Sequence, residues 1–228
     1  MATLLSYLQR HLYVFCFCIV AASPGLASAS TELLQAVRQG KVENVKRLLE
    51  TPAGLAQVNI SDAQGKSPLL IATWNNAVEI ARLLIDAGAD VNQQDNIQDS
   101  PYLLAGAQGR VEILAMCLAH GADLTSTNRY GGTALIPAAE KGHTQAVQLL
   151  LDAGVDPNHV NRLGWTALHE AIVLSDGGPE HQRIIQALLA GGADPNLADG
   201  NGIRPLSLAT QRGHRQSAQI LQAAGARP

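Results

Sequence analysis

From residue 32 onward, apolar residues fall at helical spacing in short stretches, each cut off by glycine before a long helix could grow. Ile80, Leu83 and Leu84 make one such stripe and Val147, Leu150 and Leu151 another, the pattern of a helix with one buried face. Ahead of these stripes lie more evenly apolar stretches that open on a hydroxyl residue. They are Ser67-Pro68-Leu69, Ser100-Pro101-Tyr102, Thr133-Ala134-Leu135 and Thr166-Ala167-Leu168, spaced 33 residues apart. A hydroxyl there can accept from the orphan N–H groups of a first helical turn, and Pro68, Pro101 and Pro205 sit where proline sacrifices no hydrogen bond. Arg204 replaces the cap in the last copy, which is expected to fray more easily. Gly88, Gly121, Gly154, Gly192 and Gly225 follow the second stripe of each pair, at a helix end that favours a left-handed residue.

A second marker runs in phase with the first: Ala87 to Asn92, His120 to Thr125, Ala153 to Asn158 and Gly191 to Asn196. Another copy follows with Pro205-Leu206 and Ala224-Gly225-Ala226, displaced by about five extra residues near Ser175–Pro179. Residues 32–36 and 45–49, joined around Gly40, read as an opening unit with a polar outer face. A lone helix pair cannot bury its apolar side, whereas stacked neighbours can, and the end units then need polar caps. The pattern predicts one elongated domain, 30–228, of about six units: 31–61, 62–94, 95–127, 128–160, 161–198 and 199–228.

These residues resemble the ankyrin repeat, whose pattern includes a turn glycine, Thr-Pro-Leu-His, Gly-His and a terminal Gly-Ala-Asp-Asn. Lys141-Gly142-His143 and Arg212-Gly213-His214 match the inter-helix turn and Leu168-His169 the Leu-His element, while Asn76-Ala77 departs from Gly-His. The resemblance implies an all-α solenoid of helix-turn-helix units carrying hairpin or turn fingers.

The first residues stand apart. Leu12 to Ala22 is an apolar run of signal-peptide length, flanked by Arg10 and broken by Pro24 and Gly25. Ala27-Ser28-Ala29 offers small residues for a signal peptidase, so 1–29 is expected to be a signal peptide cleaved after Ala29. The alternative is a helix retained as an anchor or buried in the fold. Cleavage removes Cys16 and Cys18, leaving Cys117 and no internal disulfide. An exported chain without disulfides suits a repeat array with a continuous core, and a periplasm is the expected compartment. The resemblance is therefore to an exported bacterial member of the family.

Composition narrows the function. The whole chain carries a formal charge of -3, and 30–228 carries -4, with 15 basic against 19 acidic residues. Neither nucleic acid nor an anionic membrane surface is an expected partner. There is no Gly-rich phosphate loop or nucleophile elbow. His169-Glu170 begins like a helical zinc motif, but Val173 stands where the second histidine would be. His169, His143 and His214 are read as repeat histidines bonding nearby backbone. Asp90, Asn92 and Asp95 imitate part of a calcium loop without its glycine and terminal glutamate, and are read as turn-stabilising instead. Cys117 aligns with Leu84 and Leu150 and is expected to be a buried hydrophobe. No catalytic residue, cofactor or metal is expected.

In a repeat stack, residues that differ between units face outward. By the resemblance, contacts concentrate on the finger tips and on the end of each first helix along the concave side. The tips read Lys66, Ile97, Asp99, Arg129, Tyr130, Arg162, Leu163, Trp165, Asn201 and Ile203; the helix ends read Trp74, Asn75, Gln108, Glu140, Lys141, Leu174, Gln211 and Arg212. Trp74, Tyr130 and Trp165 are three of the four aromatics beyond the leader, and all three are expected to point outward, leaving Tyr102 in the framework. Trp, Tyr and Arg dominate interface energetics. The expected function is a non-catalytic scaffold binding another protein in the periplasm or cell envelope, as a monomer free of the membrane once the leader is gone; a helper of an exported enzyme, an inhibitor or immunity partner of one, and a component of an envelope complex all fit. The expected contact set is Trp74, Asn75, Gln108, Arg129, Tyr130, Lys141, Arg162, Trp165 and Arg212. Rival readings are an enzyme or metal protein on this scaffold, and a cytoplasmic or host-directed protein whose leader serves as an anchor or secretion signal.

Overall fold

A computed structural model describes residues 32–228, so the leader, its cleavage site, Cys16 and Cys18 lie outside the described residues. The chain forms short helices in consecutive antiparallel pairs. A helix at 32–38 (α1) pairs with α2 (Val42–Leu49), which is followed by the single turn α3 (Pro52–Leu55). The next pairs are α4 (Pro68–Trp74) with α5 (Val78–Asp86), and α6 (Pro101–Ala107) with α7 (Val111–Ala119). Then come α8 (Leu135–Glu140) with α9 (Thr144–Asp152), α10 (Ala167–Val173) with α11 (Pro179–Ala190), and α12 (Pro205–Gln211) with α13 (Arg215–Ala223).

First helices stack on first helices, α4 on α6, α6 on α8, α8 on α10 and α10 on α12; the second helices stack in a parallel row from α2 to α13. The core is correspondingly one continuous band, from Leu33 and Val45 through Leu84, Ile113, Leu150 and Ile184 to Leu221. Small residues let the rows approach. Gly106 in α6 lies so close to Ala134 that a Cβ there would stand 2.8 Å from the alanine methyl.

Side chains cap three of the five first helices from α4 onward, and α8 and α12 go without. Ser67 and Ser100 accept from the backbone N–H groups of Leu70 and Leu103 at 3.1 and 3.2 Å. Thr166 and His169 form a reciprocal capping box, in which Nδ1 of His169 accepts from the Thr166 N–H at 3.1 Å. Thr133 does not cap, contrary to the reading of its hydroxyl. In the sister units the residue four along donates to the cap carbonyl, as Ile71 does to Ser67, but at that place this unit has Pro137. The Ile136 N–H is drawn to the Thr133 carbonyl at 3.3 Å instead, α8 starts one residue late, and the Thr133 hydroxyl stays buried without a partner.

The fingers are tight turns; no strand occurs among the described residues. Each is folded around one acidic or amide side chain that accepts two backbone N–H groups, from positions two and four residues on. Asp95 takes Ile97 and Asp99, both at 3.0 Å, and Asn161 takes Leu163 at 2.9 Å and Trp165 at 3.0 Å. Asp62, Asn128 and Asp199 do the same. The second helices from α5 onward end on glycines with φ between 80 and 92°, with Asn76 (φ 53°) at the inter-helix turn that lacks a glycine.

Three histidines bond backbone carbonyls, His159 that of Gly131 at 2.7 Å, His181 that of Glu140 at 2.9 Å, and His120 that of Met116 at 2.8 Å, whereas Nδ1 of His214, expected to do so, is buried without a partner. The His143 and His214 rings cover Gly109 and Gly177. Cys117 is fully buried, and that burial pushes its thiol up to about 12.

Candidate protein-binding groove

The ends of the first helices and the tips of the fingers line one side of the stack, and between them runs an open groove. One hollow along it, of about 460 Å³, spans four successive units and is bordered by Trp74, Gln108, Arg129, Tyr130, Lys141 and Leu174, among others. An adjoining hollow of about 420 Å³ shares Trp74 and adds Asn75, Lys66 and Ile97. Apolar residues stand exposed along this side. Of the seven large hydrophobics that remain exposed among the described residues, five border these hollows: Trp74, Ile97, Tyr130, Leu163 and Leu174. Ile97, Tyr130 and Leu163 occupy the same place on three successive tips, 33 residues apart.

Charged groups frame the stripe. Lys66 Nζ lies 5.6 Å from the centre of the Trp74 ring, and the Arg129 guanidinium 4.8 Å from that of Tyr130. Arg129 also reaches both oxygens of Asp99 at 3.4 Å. Burial pushes the Asp99 carboxyl up, with Arg129 working against it. Lys141 is exposed and makes no ion pair among the described residues.

Six of the nine expected contact residues therefore gather along the groove: Trp74, Asn75, Gln108, Arg129, Tyr130 and Lys141. The other three do not border it. Arg162 donates to the Arg129 carbonyl at 2.6 Å and lays its stem over Gly131, so it ties one tip to the next. Trp165, expected to point outward, is half-buried and faces Asp199 of the following tip. Burial pushes the Asp199 carboxyl up, but the N–H groups of Ile203 and Asn201 outweigh it and hold the group low, with smaller help from His169 and the Trp165 indole. The tips at Gly164 and Gly200 meet so closely that a Cβ at residue 164 would lie 2.7 Å from Gly200 Cα. That contact joins residues far apart in sequence, which is why a tip position read as outward proves to be a packing position. Arg212 is exposed beyond the end of the hollow.

Glu170, outside the expected contact set, also lines the groove. It is only 5% exposed, borders the hollow beside Glu140 and Leu174, and accepts from the Asn161 side-chain amide at 2.7 Å. Burial, chiefly, and Glu140 beside it push its carboxyl up to about 7, against the pull of Asn161. A signal was present in the repeat register: the equivalent positions are Ile71, Leu104, Pro137 and Leu208.

A family model for ankyrin repeats, three copies long, matches residues 11–95 and 102–199. The chain belongs to the ankyrin-repeat family. It is 41% identical over 196 residues to the ankyrin repeat protein YahD of Escherichia coli (strain K12), covering 86% of this chain and 96% of that one. Among solved structures, an ankyrin repeat domain from Acinetobacter baumannii AYE superposes with a TM-score of 0.82 at 52% identity, covering 86% of this chain and 98% of that one. The ankyrin repeat protein EF0377 gives 0.81 at 46% identity, covering 85% and 97%. The ankyrin repeat domain of Bcl-3, a member of the IkappaB protein family, gives 0.77 at 28% identity, covering 86% of each chain. Ankyrin stacks are typically protein–protein interaction modules and generally not enzymes. No group of three or more His, Cys, Asp or Glu side chains that could hold a metal gathers among the described residues. None of their helices is long and apolar enough to cross a membrane.

Proposed function

We propose that this ankyrin chain is a non-catalytic scaffold that grips a partner protein along its groove, acting as a monomer in the periplasm after cleavage of residues 1–29. The observation that carries the reading is the exposed stripe of Trp74, Ile97, Tyr130, Leu163 and Leu174 on one side of the stack. An exposed apolar strip spread over several units, rimmed by polar groups, is what a protein interface requires and a small-molecule pocket does not. Asn75, Gln108, Arg129 and Lys141 supply the rim, while Arg162 and Trp165 act by holding the tips in place. Arg212 serves only a partner long enough to reach the last unit. Support for export comes from the apolar run and the Ala27-Ser28-Ala29 site.

The test begins with affinity capture from an envelope extract, followed by affinities for Trp74→Ala and Tyr130→Ala against the captured partner. Each is expected to weaken binding by about 2 kcal/mol, roughly thirtyfold, with the helical signal unchanged. Two folded variants that bind like the parent overturn the groove reading. The mass of the purified protein tests export separately: the reading expects a chain beginning at Ser30 and fails on an intact Met1 form recovered from cytosol.

A further inference from the structure

Building on the groove reading above, we infer that the groove contains a subsite for a basic side chain of the partner, with Glu170 and Glu140 as its counter-charges. Tyr130, Leu163 and Leu174 border the same hollow and would receive the aliphatic stem of that side chain.

The first support is the internal repeat. Four sister units fill the position of Glu170 with Ile71, Leu104, Pro137 and Leu208, so the stack there asks for an apolar residue and has a carboxylate instead. The second is its surroundings. Asn161 donates to one Glu170 oxygen at 2.7 Å; the other has no hydrogen-bond donor among the described residues, although Glu170 is 5% exposed and borders the hollow. The equivalent tip positions in three other units are Asp62, Asp95 and Asp199, and an aspartate at residue 161 would oppose Glu170 where the amide of Asn161 supports it.

The third support is the charge left available. Five charged residues border the hollow: Asp99, Glu140 and Glu170 against Arg129 and Lys141. Arg129 is engaged by Asp99, so Glu140 and Glu170 face Lys141 alone, and Lys141 is exposed at the end of α8. A buried carboxylate lacking a donor on one oxygen gains most from a charged donor. An arginine or lysine flanked by apolar residues, on a loop or peptide of the partner, fits both the walls and the charge.

Binding should depend on pH. A cation that prefers the carboxylate form displaces the proton that Glu170 partly retains near pH 7. The other titratable and charged groups nearby are Glu140 and Lys141 from α8 and its cap, Asp99 and Arg129 from the tips, His169 on the same helix, Asp199 on the following tip, and His181, bonded to the Glu140 carbonyl. Comparison with Glu170→Gln isolates the one group.

The probe is a phage library of random dodecapeptides, selected on protein purified from cells expressing the full chain. The inference expects enriched peptides with a basic residue beside apolar ones, losing at least about tenfold in affinity on Glu170→Gln. It also expects parent affinity to be about tenfold tighter at pH 8 than at pH 6, with the variant nearly flat. Glu170→Leu, which installs the residue of two sister units, should lose binding similarly. Enriched peptides that need Tyr130 but lack a basic residue, or bind Glu170→Gln equally well, overturn this subsite and leave the groove reading standing. Peptides insensitive to both Tyr130→Ala and Trp74→Ala, or no enrichment at all, overturn both.

Discussion

Glu170 makes the same physical demand on folding that it makes on binding, and the two can be separated. Its carboxyl is pushed up to about 7, mainly by burial, so the folded chain holds this proton more tightly than the unfolded chain does. Between the ordinary glutamate range and about pH 7 the native state therefore binds more protons than the unfolded state. The contribution of Glu170 to stability is full below that window and is lost as pH rises through it. Glu170→Gln removes the ionisation, and its carbonyl can still accept from Asn161. The variant is expected to match the parent near pH 4 and exceed it near pH 8, by about 3 kcal/mol at most. Denaturant titrations of both proteins across that range check this, and parallel curves would show that the carboxyl does not titrate there. Ser67, Ser100 and Thr166 cap as their types predict, because a cap depends on residues three and four places along. Thr133 fails for an equally local reason, Pro137, which was visible in the sequence. Trp165 fails for a reason no local reading contains, since Asp199 meets it only after the next unit has docked.

Between units, a side-chain clamp repeats along the stack. Asn59 donates to the Gly88 carbonyl at 3.2 Å and accepts from the Asp90 N–H at 2.8 Å, joining one helix end to the next. Asn92 does the same with Gly121 and Asp123, Asn158 with Gly192 and Asp194, and Asn196 with Gly225 and Arg227. The in-phase Asp-x-Asn marker was legible in the sequence; its role in linking neighbouring units was not, because both partners of each asparagine lie some 30 residues away. One junction lacks the clamp. Thr125 occupies the equivalent position, and its hydroxyl turns back to Asp123 at 2.7 Å. Thr125→Asn should restore bonds to the Gly154 carbonyl and the Asp156 N–H. Two exposed hydrogen bonds are worth about 1 kcal/mol together, so Tm should rise by roughly 2–4 °C. An unchanged thermal midpoint would mean that the clamp reflects the stacking without stabilising it.

Across the whole molecule, stability is a sum of units and the seams between them, since each helix pair touches only its neighbours. That architecture lets the groove exist: a continuous core under the second helices holds the first-helix ends in register, so Trp74 and Leu174 can serve one surface although they lie in different units. It also predicts how the chain fails. Arg204 supplies no cap to α12 but donates to the Pro228 carbonyl at 2.9 Å. Removing residues 199–228 takes away Leu206, Ala209 and Leu221, and uncovers the side of α10 and α11 on which they pack. The truncated chain should melt earlier and self-associate through the exposed face. Amide protection in α4 to α7 should persist, because those helices never contact the deleted unit. Trp165 offers an internal reporter: half-buried against Asp199 in the whole chain, it should become exposed and shift its emission to the red, while Trp74, already 60% exposed, should change little. Sedimentation, hydrogen exchange and fluorescence on the same sample would read all three effects. A truncated chain that stayed monomeric, with an unchanged midpoint and no spectral shift, would contradict a core built by stacking.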